Sequence, residues 1–163
     1  MLRAPEASFL GGHTNKVDGK GRVAAPADFR KALDLKTFNG FFCIPSLEGA
    51  WLDCGGPDFI GSLKSMISAL PPYDARRSAL QIHLLGKAKP ISLDSDGRFI
   101  LNEEFRDHAN LDGSAYFLGV GDTFQIHRAE QIQNAVSATA QTARDALKDL
   151  QNPLMPVVIG ADV

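Results

Sequence analysis

The segment KVDGKGRVAAPADFR, residues 16–30, returns 76 residues later and without a gap as SLDSDGRFILNEEFR, residues 92–106. Five positions carry the same residue in both copies: an Asp, a Gly, an Arg, a Phe and a second Arg. Apolar residues face apolar residues at four further positions. An internal repeat of this kind determines the architecture of the whole chain, so the sequence predicts two related structural units.

Each copy centres on a tight turn, Asp-Gly-Lys-Gly at 18–21 and Asp-Ser-Asp-Gly at 94–97. An Asp side chain accepts hydrogen bonds from turn amides, and glycine adopts positive φ without steric cost. A returning strand and a short helix are predicted after each turn. Pro26 suits the first turn of the first helix, and Asn102 is a favourable N-cap for the second.

The segments outside the repeat complete the domain organisation. Two apolar runs after each copy predict a hairpin, and an amphipathic helical segment follows each hairpin. The predicted class is therefore α+β, with two tandem β-rich halves and peripheral helices. The predicted boundaries are a first half at 7–56, a helical connector at 57–86, a second half at 87–128, a C-terminal helix at 129–150 and a tail at 151–163.

The composition excludes several classes of protein. The 163 residues are 44% hydrophobic and 22% charged, which is typical of a globular protein and not of a disordered or fibrous one. No segment reaches the roughly 20 apolar residues of a membrane span, and the N-terminus lacks the apolar run of a signal peptide, so a cytoplasmic protein without a membrane partner is expected. Because the formal net charge is −2, a nucleic-acid partner would require a local cationic patch. Cys43 and Cys54 are expected to be reduced thiols.

The two copies differ in charge. Residues 13–36 contain six cations and three anions, a net charge of +3, whereas residues 87–112 contain four cations and six anions, a net charge of −2. Lys20 and Arg22 lie in and directly after the first turn, where flanking glycines leave them unobstructed. Lys suits phosphate, and Arg suits bidentate contact with guanine. The first copy is therefore the predicted DNA-binding region, with these candidate residues: Lys16, Lys20, Arg22 and Arg30.

The Asp-x-x-x-Arg spacing has a second interpretation. Residues four apart lie at the two feet of a tight turn, so Asp18 with Arg22, and Asp94 with Arg98, can pair and hold it. This interpretation is favoured for Arg98, because the neighbouring carboxylates would repel a polyanion. The residues assigned to turn structure or subunit contact are Asp18, Gly21, Asp94, Gly97 and Arg98.

Motifs typical of enzymes are absent from the sequence. The four histidines lack metal-ligand spacing, and neither cysteine belongs to a Cys-x-x-Cys pair. The chain contains no nucleophile elbow, no P-loop and no Gly-x-Gly-x-x-Gly that opens a helix. We therefore predict a protein that is not an enzyme, with no catalytic residue, no cofactor and no metal.

The duplicated motif resembles the MraZ family of bacterial transcriptional regulators. The resemblance rests on residues 17–26, their degenerate copy at 93–102, Leu-Pro-Pro at 70–72 and Leu-Leu-Gly-Lys-Ala at 84–88, and it spans about residues 7–150. It implies two half-domains of the AbrB swapped-hairpin type, paired within one chain to form one pseudo-symmetric, barrel-like unit.

The resemblance also implies a function. It implies a ring-shaped homo-oligomer, an octamer or dodecamer, that binds direct repeats of double-stranded DNA in the promoter of its own division and cell-wall operon. Such a protein would act as a repressor and associate with the nucleoid. The DNA-contacting loop of the family corresponds to Lys20 and Arg22, and its second motif to Asp94 and Arg98. The alternatives are a non-catalytic oligomeric assembly protein that uses the Asp-x-x-x-Arg turns as subunit contacts, and an enzyme on a related small barrel.

Overall fold

The computed structural model describes residues 8–154, which form two compact units, one ending at Ala129 and one beginning at Glu130. The strands of the first unit are β1 (Gly12–Lys16), β2 (Arg22–Ala24), β3 (Gly40–Pro45), β4 (Leu52–Gly55), β5 (Lys89–Ser92), β6 (Arg98–Ile100), β7 (Ser114–Gly119) and β8 (Phe124–His127). Its helices are α1 (Ala27–Ala32), α2 (Pro57–Ile67), α3 (Ala75–Leu80), which continues as a π-helical turn over Gln81–Leu85, and α4 (Glu103–His108). The second unit contains α5 (Ile132–Lys148), and a 3₁₀ turn at Ala129–Gln131 precedes it.

The fold is α+β, with a six-stranded antiparallel sheet in the order β1-β7-β8-β4-β3-β5 and a two-stranded antiparallel ribbon of β2 and β6. The two copies of the repeat exchange strands. β1 of the first copy pairs with β7, and β5 of the second copy pairs with β3. The two pairings are equivalent, because Lys16 lies opposite Ser114 while its repeat counterpart, Ser92, lies opposite Gly40.

The sheet does not close into the expected barrel-like unit. Within residues 8–154, β1 and β5 are the edges of the six-stranded sheet, and no pairing joins them. Each edge strand leads through a tight turn into the ribbon. Because β2 and β6 pair with each other, they do not bridge the two sheet edges.

Local side-chain chemistry accounts for the starts of the short helices. Asn102 Oδ1 accepts a hydrogen bond from the backbone nitrogen of Phe105 at 2.8 Å, which confirms the predicted N-cap of α4. Pro26 precedes α1 without a side-chain cap, because its fixed φ already suits a helix start. The same type of helix therefore begins by two different chemical means.

Aromatic packing in the core fixes the ribbon on the sheet. Phe99 of β6 contacts Phe41 and Phe117 of the sheet, with ring centroids 5.0 and 6.1 Å apart. Phe29 of α1 and Phe105 of α4 are also fully buried in the same core. Each such ring contributes about 1.5–3 kcal/mol by its removal from water. The inner face of the ribbon is thus packed on the sheet, and its other face points away from the core.

The two cysteines lie directly opposite each other on β3 and β4. Cys43 and Cys54 are buried free thiols, as expected, with their Sγ atoms 3.6 Å apart. Burial raises the pKa of the Cys54 thiol, which favours the protonated form.

Two further findings concern membrane-spanning helices and the ends of the described region. Among residues 8–154, no helix is both long enough and apolar enough to span a bilayer. The predicted tail at 151–163 lies outside the described residues from 155 onward, as does residue 7 of the predicted first half.

Candidate nucleic-acid interface

Both tight turns are held by an aspartate in the same way. Asp18 Oδ1 accepts hydrogen bonds from the backbone nitrogens of Lys20 and Arg22, both at 2.9 Å. In the second turn Asp94 Oδ1 accepts the equivalent pair of bonds, also at 2.9 Å. The two turns therefore share one backbone design.

The glycine at the end of each turn connects it to the other copy. Gly21 and Gly97 have φ of +81° and +74°, the left-handed region that glycine tolerates best. The carbonyl of Gly21 accepts a hydrogen bond from Leu101, and the carbonyl of Gly97 accepts one from Ala25, both at 2.9 Å. Each turn is thus bonded to the residue that directly follows the ribbon strand of the opposite copy.

The side chain of Arg22 distinguishes the first turn. Its Nε donates a hydrogen bond to Asp18 Oδ2 at 2.6 Å. The hydrogen bond from the backbone N–H of Arg22, and next this side-chain bond, lower the pKa of Asp18 to about 2. A guanidinium has five N–H donors, and the four on the Nη atoms make no hydrogen bond within residues 8–154. The side-chain pair expected between Asp94 and Arg98 is absent from residues 8–154, where only the backbone nitrogen of Arg98 bonds to Asp94. The first turn therefore orients its arginine, and the second does not.

The outward ribbon face consists of the side chains of Arg22, Ala24, Arg98 and Ile100. The middle residue of each ribbon strand is buried, and these four flanking residues are exposed. Arg22 lies opposite Ile100, and Ala24 lies opposite Arg98. The two arginines therefore occupy one diagonal of the face, and the two apolar side chains occupy the other.

A groove lies on each side of the ribbon, and the two arginines of the outward ribbon face border both grooves. The polar groove, of about 400 Å³, is lined by Asn15 and Lys16. The apolar groove, of about 360 Å³, is lined at the equivalent positions by Ile91 and Ser92. The pseudo-symmetric backbone thus presents a cationic side and an apolar side.

The structure brings together three of the four predicted DNA-binding residues. Lys16 lines the polar groove beside Arg22, and Lys20 is exposed in the first turn. Arg30 lies elsewhere: it packs against Gly97, where a Cβ would be 2.5 Å from Arg30 Nη1. Its buried Nε has no hydrogen-bond partner among the described residues. Arg30 therefore packs against the second turn.

Sequence reasoning missed the exposure of Arg98 and Ile100 on the outward ribbon face. The alternation in Arg98-Phe99-Ile100 was the available signal, because a buried Phe99 places both neighbours on the outward side of a strand. No group of three His, Cys, Asp or Glu side chains that could hold a metal ion occurs in the part of the chain that the structure describes.

Fold and site together define a duplicated α+β protein with a partly cationic outward β-ribbon. No family model matches the chain. Three curated relatives, each named Transcriptional regulator MraZ, align with most of its length. The protein of Methylocella silvestris is 34% identical over 146 residues, 90% of this chain and 87% of the relative. Those of Beijerinckia indica and Rickettsia akari are 32% and 33% identical, over 91% and 88% of this chain and 91% and 97% of the relatives. The chain belongs to the MraZ family.

Proposed function

We propose that this protein is a transcriptional regulator that binds double-stranded DNA through the first turn and the outward ribbon face. The observation that carries the proposal is the orientation of Arg22. Its Nε is held by Asp18 at 2.6 Å, which leaves the Nη edge of the guanidinium directed by a fixed turn. A guanidinium held in this way loses little conformational freedom when it contacts a guanine or a phosphate. The names of the relatives support the same class of function.

The other candidate cations complete the interface. Lys16 and Lys20 contact phosphates and set the register of the protein on the duplex, while Arg22 contacts a base edge. Arg30 adds its charge beside the second turn. Asp18, Gly21, Asp94 and Gly97 shape the two turns, and Arg98 contributes less to DNA binding, because Asp96 places negative charge beside it.

A single copy of this surface binds weakly, so the protein acts as a ring-shaped homo-oligomer. Each subunit provides only two or three phosphate contacts, but several linked subunits give strong and steeply salt-dependent binding to successive direct repeats. Exposed apolar side chains of the helical connector, Met66, Tyr73 and Ile82, support subunit contact. The operator lies in the promoter of the protein's own division and cell-wall operon, and binding represses it by blocking polymerase. The protein is cytoplasmic and associated with the nucleoid.

The domain organisation follows the repeat. Residues 7–56 and 87–128 form two half-domains of the AbrB type, joined by the connector at 57–86 and followed by the helix at 129–150 and the tail at 151–163. The reciprocal pairing of β1 with β7 and of β5 with β3 supports this pseudo-symmetric arrangement.

Fluorescence anisotropy on the protein's own upstream region, over a series of salt concentrations, tests the proposal. Arg22→Ala should weaken binding by about 5- to 150-fold, the value of a bidentate base contact. Arg98→Ala serves as the matched control and should weaken it less. Native mass measured in parallel reports the oligomer. If the wild-type protein does not bind the duplex, the result contradicts DNA binding and favours an assembly protein. Equal losses of affinity in the two variants would contradict the larger role in DNA binding that is assigned to the first copy.

A further inference from the structure

The repeat counterparts Ala24 and Ile100 break the pseudo-symmetry of the outward ribbon face. Both lie at the same position of their strands, and each faces an arginine of the other copy across the ribbon. Ala24 presents only a methyl group, whereas Ile100 is a branched side chain that is 61% exposed. The face therefore has one short and one long apolar contact point.

The surroundings of Ile100 strengthen this asymmetry. Ile100 lines the apolar groove together with Pro90, Ile91 and Leu93. Ala24 lines the polar groove, where Lys16 adds a cation to the two arginines that border both grooves. If the ribbon contacted DNA with both of its sides, the polar groove would supply phosphate contacts and the apolar groove would supply an apolar contact.

We propose that Ile100 contacts the 5-methyl group of a thymine in the major groove, next to the base pair that Arg22 approaches; this inference rests on the proposed function. The major groove admits a two-stranded β-ribbon, and the thymine methyl is the apolar group exposed on its floor. The Cβ atoms of directly opposite strand residues lie about 4.5–5.5 Å apart. Since base pairs stack about 3.4 Å apart, Arg22 and Ile100 contact base pairs one or two steps apart.

This contact gives the bound subunit a direction. Rotation of the ribbon by 180° exchanges Arg22 with Arg98 and Ala24 with Ile100. If Ala24 and Ile100 were the same residue, the outward ribbon face would present the same side chains in both orientations. Ala24 is too short to replace Ile100 after such a rotation. Ile100 is therefore a specificity-determining residue that sets the polarity of the site.

Uracil substitution tests the contact, because it removes only the 5-methyl group. Duplexes are first selected from a randomised library with the wild-type protein, and each thymine is then replaced by uracil in turn. We expect a loss of affinity of about fourfold at one or two adjacent positions, the value of one buried methyl group. Ile100→Ala should bind about fourfold more weakly and become insensitive to uracil at those positions, and Ile100→Val should be intermediate.

Leu47→Ala is the matched control, because Leu47 is similarly exposed, at 56%, but lies outside the ribbon. It should keep the uracil profile of the wild-type protein. If the wild-type protein selects no duplex, the proposed function itself fails. If it selects duplexes and Ile100→Ala retains the wild-type uracil profile, only the present inference fails. A lower native mass for Ile100→Ala with an unchanged profile would likewise overturn it and assign Ile100 to a subunit contact.

Discussion

The first and second tight turns have the same backbone but different side-chain chemistry. Both use an aspartate Oδ1 to accept two backbone hydrogen bonds at 2.9 Å, and both end in a glycine with positive φ. Only the first holds its arginine side chain, and its lysine is replaced by Asp96 in the second. The residues that shape the backbone are thus shared, while those that face outward have diverged. Substitutions that exchange or remove the glycines, charges and caps of the two copies test how far the two turns differ.

The largest expected effect on stability comes from the two glycines that end the tight turns, Gly21 and Gly97. A Cβ at Gly21 would collide with the backbone oxygen of Leu101, whereas one at Gly97 would meet the flexible end of Arg30. Gly21→Ala should lower the free energy of unfolding by about 3 kcal/mol, and Gly97→Ala by about 1–2 kcal/mol, since both acquire the strain of positive φ. Urea denaturation measures both values. Equal losses would show that the second turn is packed as rigidly as the first.

The next effect comes from charge. Asp96 occupies the position of Lys20, so Asp96→Lys gives the second turn the cation of the first. DNA affinity should rise about tenfold at low salt, and the slope of log K against log salt should steepen by about one. Asp96→Asn, which removes the negative charge alone, should give a smaller gain without the steeper slope. An unchanged affinity in both variants would place the second turn away from DNA.

A third prediction concerns the helices that follow the turns. Asn102→Ala removes the hydrogen bond to the backbone nitrogen of Phe105 and should lower the free energy of unfolding by about 1 kcal/mol. Asn102→Asp retains an acceptor and should preserve most of the stability. Helix α1 has no side-chain bond to lose at Pro26. Thermal unfolding compares the variants, and equal stability of all of them would show that the cap at α4 is dispensable.

The smallest expected effect is a dependence on pH in the acid range. The pKa of Asp18 falls from 3.8 to about 2 in the folded protein, so its ionised form stabilises the native state. That stabilisation is complete above pH 3.8 and is lost as the pH falls through 2. The stability difference between the wild-type protein and Asp18→Asn should therefore narrow over this interval. Urea denaturation of both proteins at a series of pH values across this interval measures the difference, and a difference that stays constant would contradict the prediction.

Much of the local structure could be predicted from the sequence, because it depends on residues only a few positions apart. Asp18 and Gly21 define a turn, and Asn102 caps a helix, through contacts with their immediate neighbours. The strand partners could not be predicted in this way, because Lys16 pairs with Ser114 in the opposite half of the chain. For the same reason, the local pattern did not show that the sheet remains open.

The candidate site was predictable to a similar extent. The exposure of Lys20 and Arg22 follows from their positions in and after a glycine-flanked turn. The displacement of Arg30 could not be foreseen, because it results from packing against Gly97 of the other copy. The missing side-chain pair between Arg98 and Asp94 in the described part of the chain was also unexpected, since their spacing is the same as that of Arg22 and Asp18.

The reciprocal strand exchange has a consequence for synthesis of the protein. While the first half leaves the ribosome, β1 and β3 still lack the strands β7 and β5 that pair with them. The six-stranded sheet cannot be completed until β7 and β8 have emerged, and such long-range contacts slow folding. The nascent chain therefore carries unpaired strand edges during translation, which makes early termination or fragmentation a route to aggregation and not to a smaller functional protein.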